Sequence, residues 1–446
     1  MPGDPLLLLL LAVGGLAGLW VVERTIARDA VGWTLVALVV LLPAAGIELE
    51  PGVLGFRLDP RDAVMVVLAV AALARFLRGH PLTGGPLLLL VFVALSVLAI
   101  GAGAGVHGLA SAVNEGRKFL YVGVAALYAS TTDVRGSRRE GPVRVWLWLA
   151  VALLAVAVVE WAAFATGVAF LPTGVPDDLR VIDSFETLVV LQAVLLAAGA
   201  LLSLRSDRTL PTDLDDVATH RLELLVAAGG VAVVLLQHRT LWIGLLLGVV
   251  LLVAREPTLG SRLLARVTVG AVLVGVLAFA LLGQGTDRVE IVADLERSAQ
   301  DVDTFEWRLE GWGRLLADQA PDGPAELLVG QRFGGGFQRY VDGGIVDVSP
   351  HNFPLESFLR VGLVGALVFV GLHVWVVATL LRSRGGTALV RDDVLAVVLA
   401  LAMLYYLTSH PGIEQGLLLG LGVAVASERA ASRGRARQPN MSRTAG

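Results

Sequence analysis

"SPHNFPLESFLRVGLVGALVFVGLHVWVVATLLR", residues 349–382, decides the fold class. Between Val361 and Leu381 its one ionisable side chain is His373. At 1.5 Å of rise per residue, a helix over 359–382 crosses a hydrocarbon core about 30 Å thick. Yet the segment is entered through Ser349, Pro350, His351 and Asn352, four residues that a plain anchor does not need.

Comparable runs recur on both sides of this stretch. They fall at roughly 5–23, 31–47, 62–79, 85–103, 117–131, 144–170, 183–204, 221–237, 240–254, 263–283, 359–382, 392–409 and 413–428. The 446 residues are 56% hydrophobic and only 17% charged, with a mean hydropathy of +0.75. A soluble domain carries about a quarter charged residues. The pattern predicts an all-α polytopic transmembrane helix bundle of 12–13 spans, the count depending on whether the first run crosses or re-enters. That run, Pro5–Val22, lacks a basic leader and a small-residue cleavage site, so it reads as a retained helix rather than a signal peptide.

Cysteine is absent, which excludes disulfides and thiolate chemistry. The basic residues are arginines except Lys118. They concentrate at Arg24/Arg28, Arg135–Arg144, Arg205–Arg221, Arg255–Arg266, Arg382–Arg391 and the C-terminal tail. In a thirteen-span arrangement these all fall on one side, which the positive-inside rule makes cytoplasmic. Four parts follow: an N-terminal membrane bundle over 1–283, an extracytoplasmic loop over 284–357, three spans over 358–428, and a basic cytoplasmic tail over 429–446 expected to be disordered. The loop holds fourteen acidic residues and six arginines, about -8 in net charge. Within it, Phe305, Leu309, Trp312, Leu315 and Leu316 recur at helical spacing and predict an amphipathic helix.

Two polar interruptions stand out. In "LLQHRTLWIGLLLG", residues 235–248, Gln237, His238 and Arg239 separate two spans with almost no loop. An arginine there either snorkels to lipid phosphates or turns its planar fork into a cavity to hold a phosphate or carboxylate. In the opening stretch, Ser349 and Pro350 read as an N-cap and first-turn pair. His351 then falls in the first helical turn, on the face of Gly362, whose spacing to Gly365 suits close helix packing. Histidine exchanges a proton near neutral pH; the alternative reading is a capping or interfacial histidine. Arg180, in "DDLRVIDSFET", sits just before a span and can equally pair with Asp177 or Asp178. The turn Gly334–Gly336 reads as structural.

His351-Asn352, nine residues, Gly362, two residues and Gly365 resemble the H-[NSQ]-x9-G-x-x-G signature of the bacterial O-antigen ligase and polymerase superfamily. "QHRTLWIGLLLG" is similar to that family's arginine-bearing span opening, with Arg239 at the arginine. Ile243 stands where the ligase pattern has leucine, and His238 where it has a small residue. "EWRLEGWGRLL" resembles its loop helix, with Arg308 at the recurrent arginine, and "LLVGQRFGGGF" its glycine turn. The resemblance covers about residues 180 to 428.

It implies a metal-independent glycosyltransferase of surface polysaccharide or lipopolysaccharide assembly in the bacterial cytoplasmic membrane. The donor would be a glycan on undecaprenyl diphosphate; the acceptor would be a glycan, lipid or protein. Arg239, Arg180 and Arg308 would take the diphosphate, with His238 and Asn352 nearby. His351 would be the base or another diphosphate ligand; Asn352 would orient it or cap the helix. No cofactor, metal or nucleic-acid partner is expected, and no H-x3-H or HExxH spacing occurs. A flippase for lipid-linked oligosaccharide, or another transporter, is the alternative from a different class. It should show paired ionisable residues or broken helices in mid-span, for which Glu160 and His373 are the sequence candidates.

Overall fold

The computed structural model describes residues 29–47, 52–206, 216–255 and 303–437, less a few positions within those ranges, together with positions 265 and 272. The expected spans at 5–23 and 263–283 therefore lie outside the described residues, apart from those two positions.

The chain is mostly helical, with thirteen helices among the described residues. In order they are α1 (Asp29–Ala44), α2 (Pro60–Leu77), α3 (Gly85–His107), α4 (Leu109–Ser130), α5 (Glu140–Thr166), α6 (Ser184–Ser206), α7 (Asp216–Leu235), α8 (Arg239–Arg255), α9 (Asp303–Asp318), α10 (Pro324–Val329), α11 (Phe353–Leu381), α12 (Asp392–Tyr406) and α13 (Ile413–Arg437). Two antiparallel hairpins accompany them: β1 (Gly52–Val53) with β2 (Phe56–Arg57), and β3 (Gln338–Val341) with β4 (Gly344–Asp347). In the second, Gln338 faces Asp347 and Val341 faces Gly344.

Among the described residues, four helices are long and apolar enough to cross a membrane: α3, α5, α6 and α11. Leu88, Leu90, Val97 and Leu98 of α3 point outward from the bundle. A water-soluble monomer rarely exposes contiguous apolar surface on this scale. By contrast, α6 is enclosed: 94% of its most apolar window is buried within the protein. Such a helix, hydrophobic all round, belongs at a bundle's centre.

Small residues set the closest approach. Gly416 and Gly420 of α13 lie one turn apart, and a Cβ on either would strike the Val122 or Ala126 carbonyl of α4. This small-x3-small spacing brings two backbones together, so van der Waals packing replaces the hydrophobic drive that lipid cannot supply.

The segment before α11 is anchored by aromatics. Phe333 and Phe353, both fully buried, join Phe92, Phe119 and Phe369 in one cluster. The Phe119 ring lies 4.8 Å from Phe353 and 5.1 Å from Phe333.

Several expectations are corrected by these elements. Helix α11 starts at Phe353, and the N-cap is Asn352, whose side chain accepts from the Leu355 amide at 3.0 Å. His351 thus lies outside the helix, with φ of 50°. Nor do His351 and Gly362 share a helical face, because Gly362 breaks α11 with φ of 70° and ψ of -176°. The break frees the Leu359 carbonyl, which accepts from the Gln331 amide at 2.7 Å. A Cβ at Gly362 would collide with the Leu328 carbonyl.

The amphipathic helix is present as α9, but its apolar face is split. Leu315 is fully buried and Trp312 partly so, whereas Leu309 and Leu316 point outward. The Phe305 side chain lies outside the described set. Finally, α13 continues to Arg437, into the tail expected to be disordered. The stretch "ERAASRGRAR", residues 428–437, is rich in alanine and arginine, both good helix formers.

Candidate functional site

Where α6, α8 and α11 begin and α12 ends, the bundle opens into a cavity of about 650 Å³. That is within the usual range for small-molecule sites. Five of the six residues singled out from the sequence line it: Arg180, His238, Arg239, Arg308 and Asn352. No carboxylate is among the described lining residues. The starts of three helices add the positive ends of their backbone dipoles.

Each arginine arrives by a different local device. Leu179 and Ile182 are buried against Trp161, Ala232 and Leu236. The Trp161 indole N–H donates to the Leu179 carbonyl at 3.0 Å. These anchors hold the backbone and leave Arg180 between them exposed towards the cavity. Arg239 is the first residue of α8. The turn before it is made by Gln237, buried at φ of 57°, and the His238 carbonyl accepts from the Leu241 and Trp242 amides. His238 Nε2 lies 3.2 Å from the Ile182 carbonyl, tying the Arg180 and Arg239 segments together. Arg308 comes from α9 and donates to the Thr408 carbonyl at 3.4 Å. Burial lowers its basicity, and the nearby Arg239 charge lowers it further. Two cations lining one cavity favour an anion between them.

Asp177 and Asp178, the alternative partners of Arg180, lie outside the described residues.

His351 is half-buried and sits behind Asn352 rather than on the cavity wall. The Trp312 indole N–H donates to the Pro350 carbonyl at 2.6 Å, and the His351 amide donates to Ser349 Oγ at 3.3 Å. Burial, then the Arg308 charge, holds the His351 imidazole below its ordinary pKa, with Glu356 working the other way. It is therefore neutral at pH 7 and able to accept a proton.

Behind it, Lys118 Nζ lies 2.6 Å from Glu356 Oε2. Glu356 is fully buried and also accepts from Ser349 Oγ. This latch was not recognised from sequence. Its one signal is that Lys118 is the single lysine among 35 basic residues. Also missed were Tyr405, Thr408 and Ser409, polar cavity groups from the "LYYLTSH" end of α12.

The glycine turn is a clasp. The Gly334 and Gly336 amides donate to Glu115 Oε2 at 2.7 and 3.1 Å, and Arg360 joins Glu115 to the Gly336 carbonyl. Glu160 is hydrogen-bonded to Thr173, and His373 Nδ1 lies 2.9 Å from the Phe369 carbonyl. Neither lines the cavity. Among the described residues no three His, Asp or Glu side chains converge as metal ligands.

Comparison with protein-family models, curated proteins and solved structures finds no match for this chain. The site brings together three guanidiniums, a set of hydroxyls and a neutral imidazole next to Asn352, with no carboxylate among the described lining residues. Such an arrangement can hold a diphosphate bidentately and take up one proton.

Proposed function

We propose that this chain is a membrane glycosyltransferase of the O-antigen ligase or polymerase type. It acts at the outer face of a bacterial cytoplasmic membrane on a glycan carried by undecaprenyl diphosphate. The observation that carries this is the convergence of Arg180, Arg239 and Arg308 on one cavity, with no carboxylate among its described lining residues, beside His351.

The diphosphate lies among the three guanidiniums. The acceptor hydroxyl oxygen attacks the anomeric carbon of the donor sugar, and its proton passes to His351. The bond from that carbon to the phosphate oxygen breaks, and its electron pair leaves with the diphosphate. Arginines placed where this charge grows stabilise the transition state more than the ground state. His351 regains its neutral form by releasing the proton to water. In this scheme the chain makes 12–13 spans, residues 284–357 face outward, and the C-terminus is cytoplasmic.

A flippase is the second reading, and two observations favour it: α11 is broken at Gly362, and the carboxylates of Glu186 and Glu414 are buried between helices. Both carboxylates stand in first helical turns rather than mid-span, which suits a site at one end of the bundle better than a transport path.

The test is the carrier-linked glycan pool in cells bearing wild type, a deletion, Arg239→Ala or His351→Ala at matched protein level. Outward-facing carrier-linked glycan should accumulate in all three mutants, as single repeats for a polymerase or long chains for a ligase. Glycan trapped on the inner face would instead establish the flippase.

A further inference from the structure

A second chamber, of about 250 Å³, lies beside the arginine cavity. Two chain segments divide the spaces. Ser184 and Ser409 line the cavity, whereas their neighbours Phe185, Glu186 and His410 line the chamber. The partition is aromatic: the Phe185 ring lies 4.8 Å from His410 and 6.1 Å from Tyr405.

The chamber is polar and incomplete. Glu186 and Glu414 are 6% and 4% exposed. Oε2 of the first and Oε1 of the second have no hydrogen-bond partner among the described residues. Arg61 Nε and His410 Nδ1 are in the same position. Buried polar atoms are nearly always satisfied, and a bare carboxylate is among the costliest groups to bury. Four such atoms around one space mark a place for a ligand.

Charge narrows its class. Arg61 and Arg117 oppose a metal cation, while Asp59, Glu186 and Glu414 oppose an anion. Lys118 is already engaged by Glu356, and the Tyr121 hydroxyl by Asp62 at 2.6 Å. A neutral polyhydroxyl compound meets both demands. Its hydroxyls donate to the carboxylates and accept from the guanidiniums and Asn114, and its C–H face lies on Phe185.

We propose that the second chamber is a subsite for a neutral sugar ring, held by Glu186 and Glu414; on the transferase reading, it receives the acceptor sugar. His351 lines neither space but lies within electrostatic reach of both. It feels the charge of Arg308, which lines the cavity, and of Lys118, which lines the chamber.

The test uses the full chain in detergent, with methyl glycosides of hexoses and N-acetylhexosamines as probes and saturation-transfer NMR as the readout. Undecaprenyl diphosphate binding is followed in parallel by native mass spectrometry. At least one glycoside should bind wild type, and its Kd should rise tenfold or more in Glu186→Gln. Asn114 is exposed at the chamber, so Asn114→Trp, which fills the space from outside without touching the core, should do the same. Both variants should keep the diphosphate, and Arg239→Ala should lose it while keeping the glycoside. If no glycoside binds wild type, or binding survives both chamber variants, the subsite is overturned, and retained diphosphate binding leaves the transferase standing. If glycoside binds as described but wild type takes no diphosphate, the subsite holds and the transferase falls.

Discussion

The indole N–H of Trp312 donates to the carbonyl of Pro350 at 2.6 Å, joining α9 to the residue before His351. The backbone on either side of His351 is thus held: Pro350 by Trp312, and Asn352 as the cap of α11. Arg308 lies one helical turn before Trp312. The same helix therefore places a cavity arginine and the histidine's support.

Trp312→Phe keeps the ring and removes the donor. The Pro350 carbonyl loses a hydrogen bond worth about 1 kcal/mol, so thermal stability should fall slightly. Turnover in membranes should fall about tenfold or more while diphosphate binding stays near wild type, because His351 loses its placement and the arginines keep theirs. An unchanged turnover would remove α9 from the catalytic assembly.

The pH dependence of turnover reports on His351. A general base works when neutral, and this imidazole is held below its ordinary value by burial and by Arg308. Turnover should therefore hold steady from pH 8 down past about 6.5, the ordinary histidine value, and fall only in more acidic buffer. Arg308→Gln removes a nearby positive charge, so the acid limb of its residual activity should move to higher pH. A limb that stays in place with Arg308→Gln would mean that another group titrates.

Lys118→Met should be strongly destabilising. Glu356 is fully buried, and removing its cation leaves a bare charge, which costs about 3–5 kcal/mol. Lys118→Met/Glu356→Gln should recover much of this, since a neutral amide can still accept from Ser349. Thermal unfolding in detergent separates the two variants; equal melting temperatures would show that the pair contributes little.

Gly362→Ala should be tolerated poorly. Its φ of 70° suits glycine, and the Leu328 carbonyl occupies the space of a Cβ. Strain of this kind costs roughly 1–3 kcal/mol before any collision is counted. Limited proteolysis within residues 324–331 should accelerate in the variant, as that segment packs on the break. Gly371→Ala, on the same helix with open space around it, is the control and should be neutral.

Much of this protein could be read along the chain, and the reasons are local. Hydropathy and 1.5 Å of rise per residue marked eleven of the thirteen described helices, since an apolar run long enough to span must satisfy its own backbone. Arg180 and Arg239 at segment ends were visible for the same reason, since charge is avoided inside apolar runs, whereas Arg308 stands within α9 and was marked by the family resemblance of that helix. Even the Gly362 and Gly365 spacing was legible, though not its meaning. Glycine permits both close packing and a positive φ, and only the approach of Leu328 shows that Gly362 serves as a break. The start of α11 was misplaced by three residues because Pro350 and Pro354 both suit a first turn. Asn352 takes the cap, and its bond to Leu355 decides between them. What tertiary structure alone decided is convergence. Arg180 and Arg308 stand far apart in sequence, and nothing in either neighbourhood encodes their meeting. It depends on Leu179 and Ile182 docking against α5 and α7, and on Phe333 and Phe353 filling one aromatic core, contacts whose partners lie elsewhere in the chain.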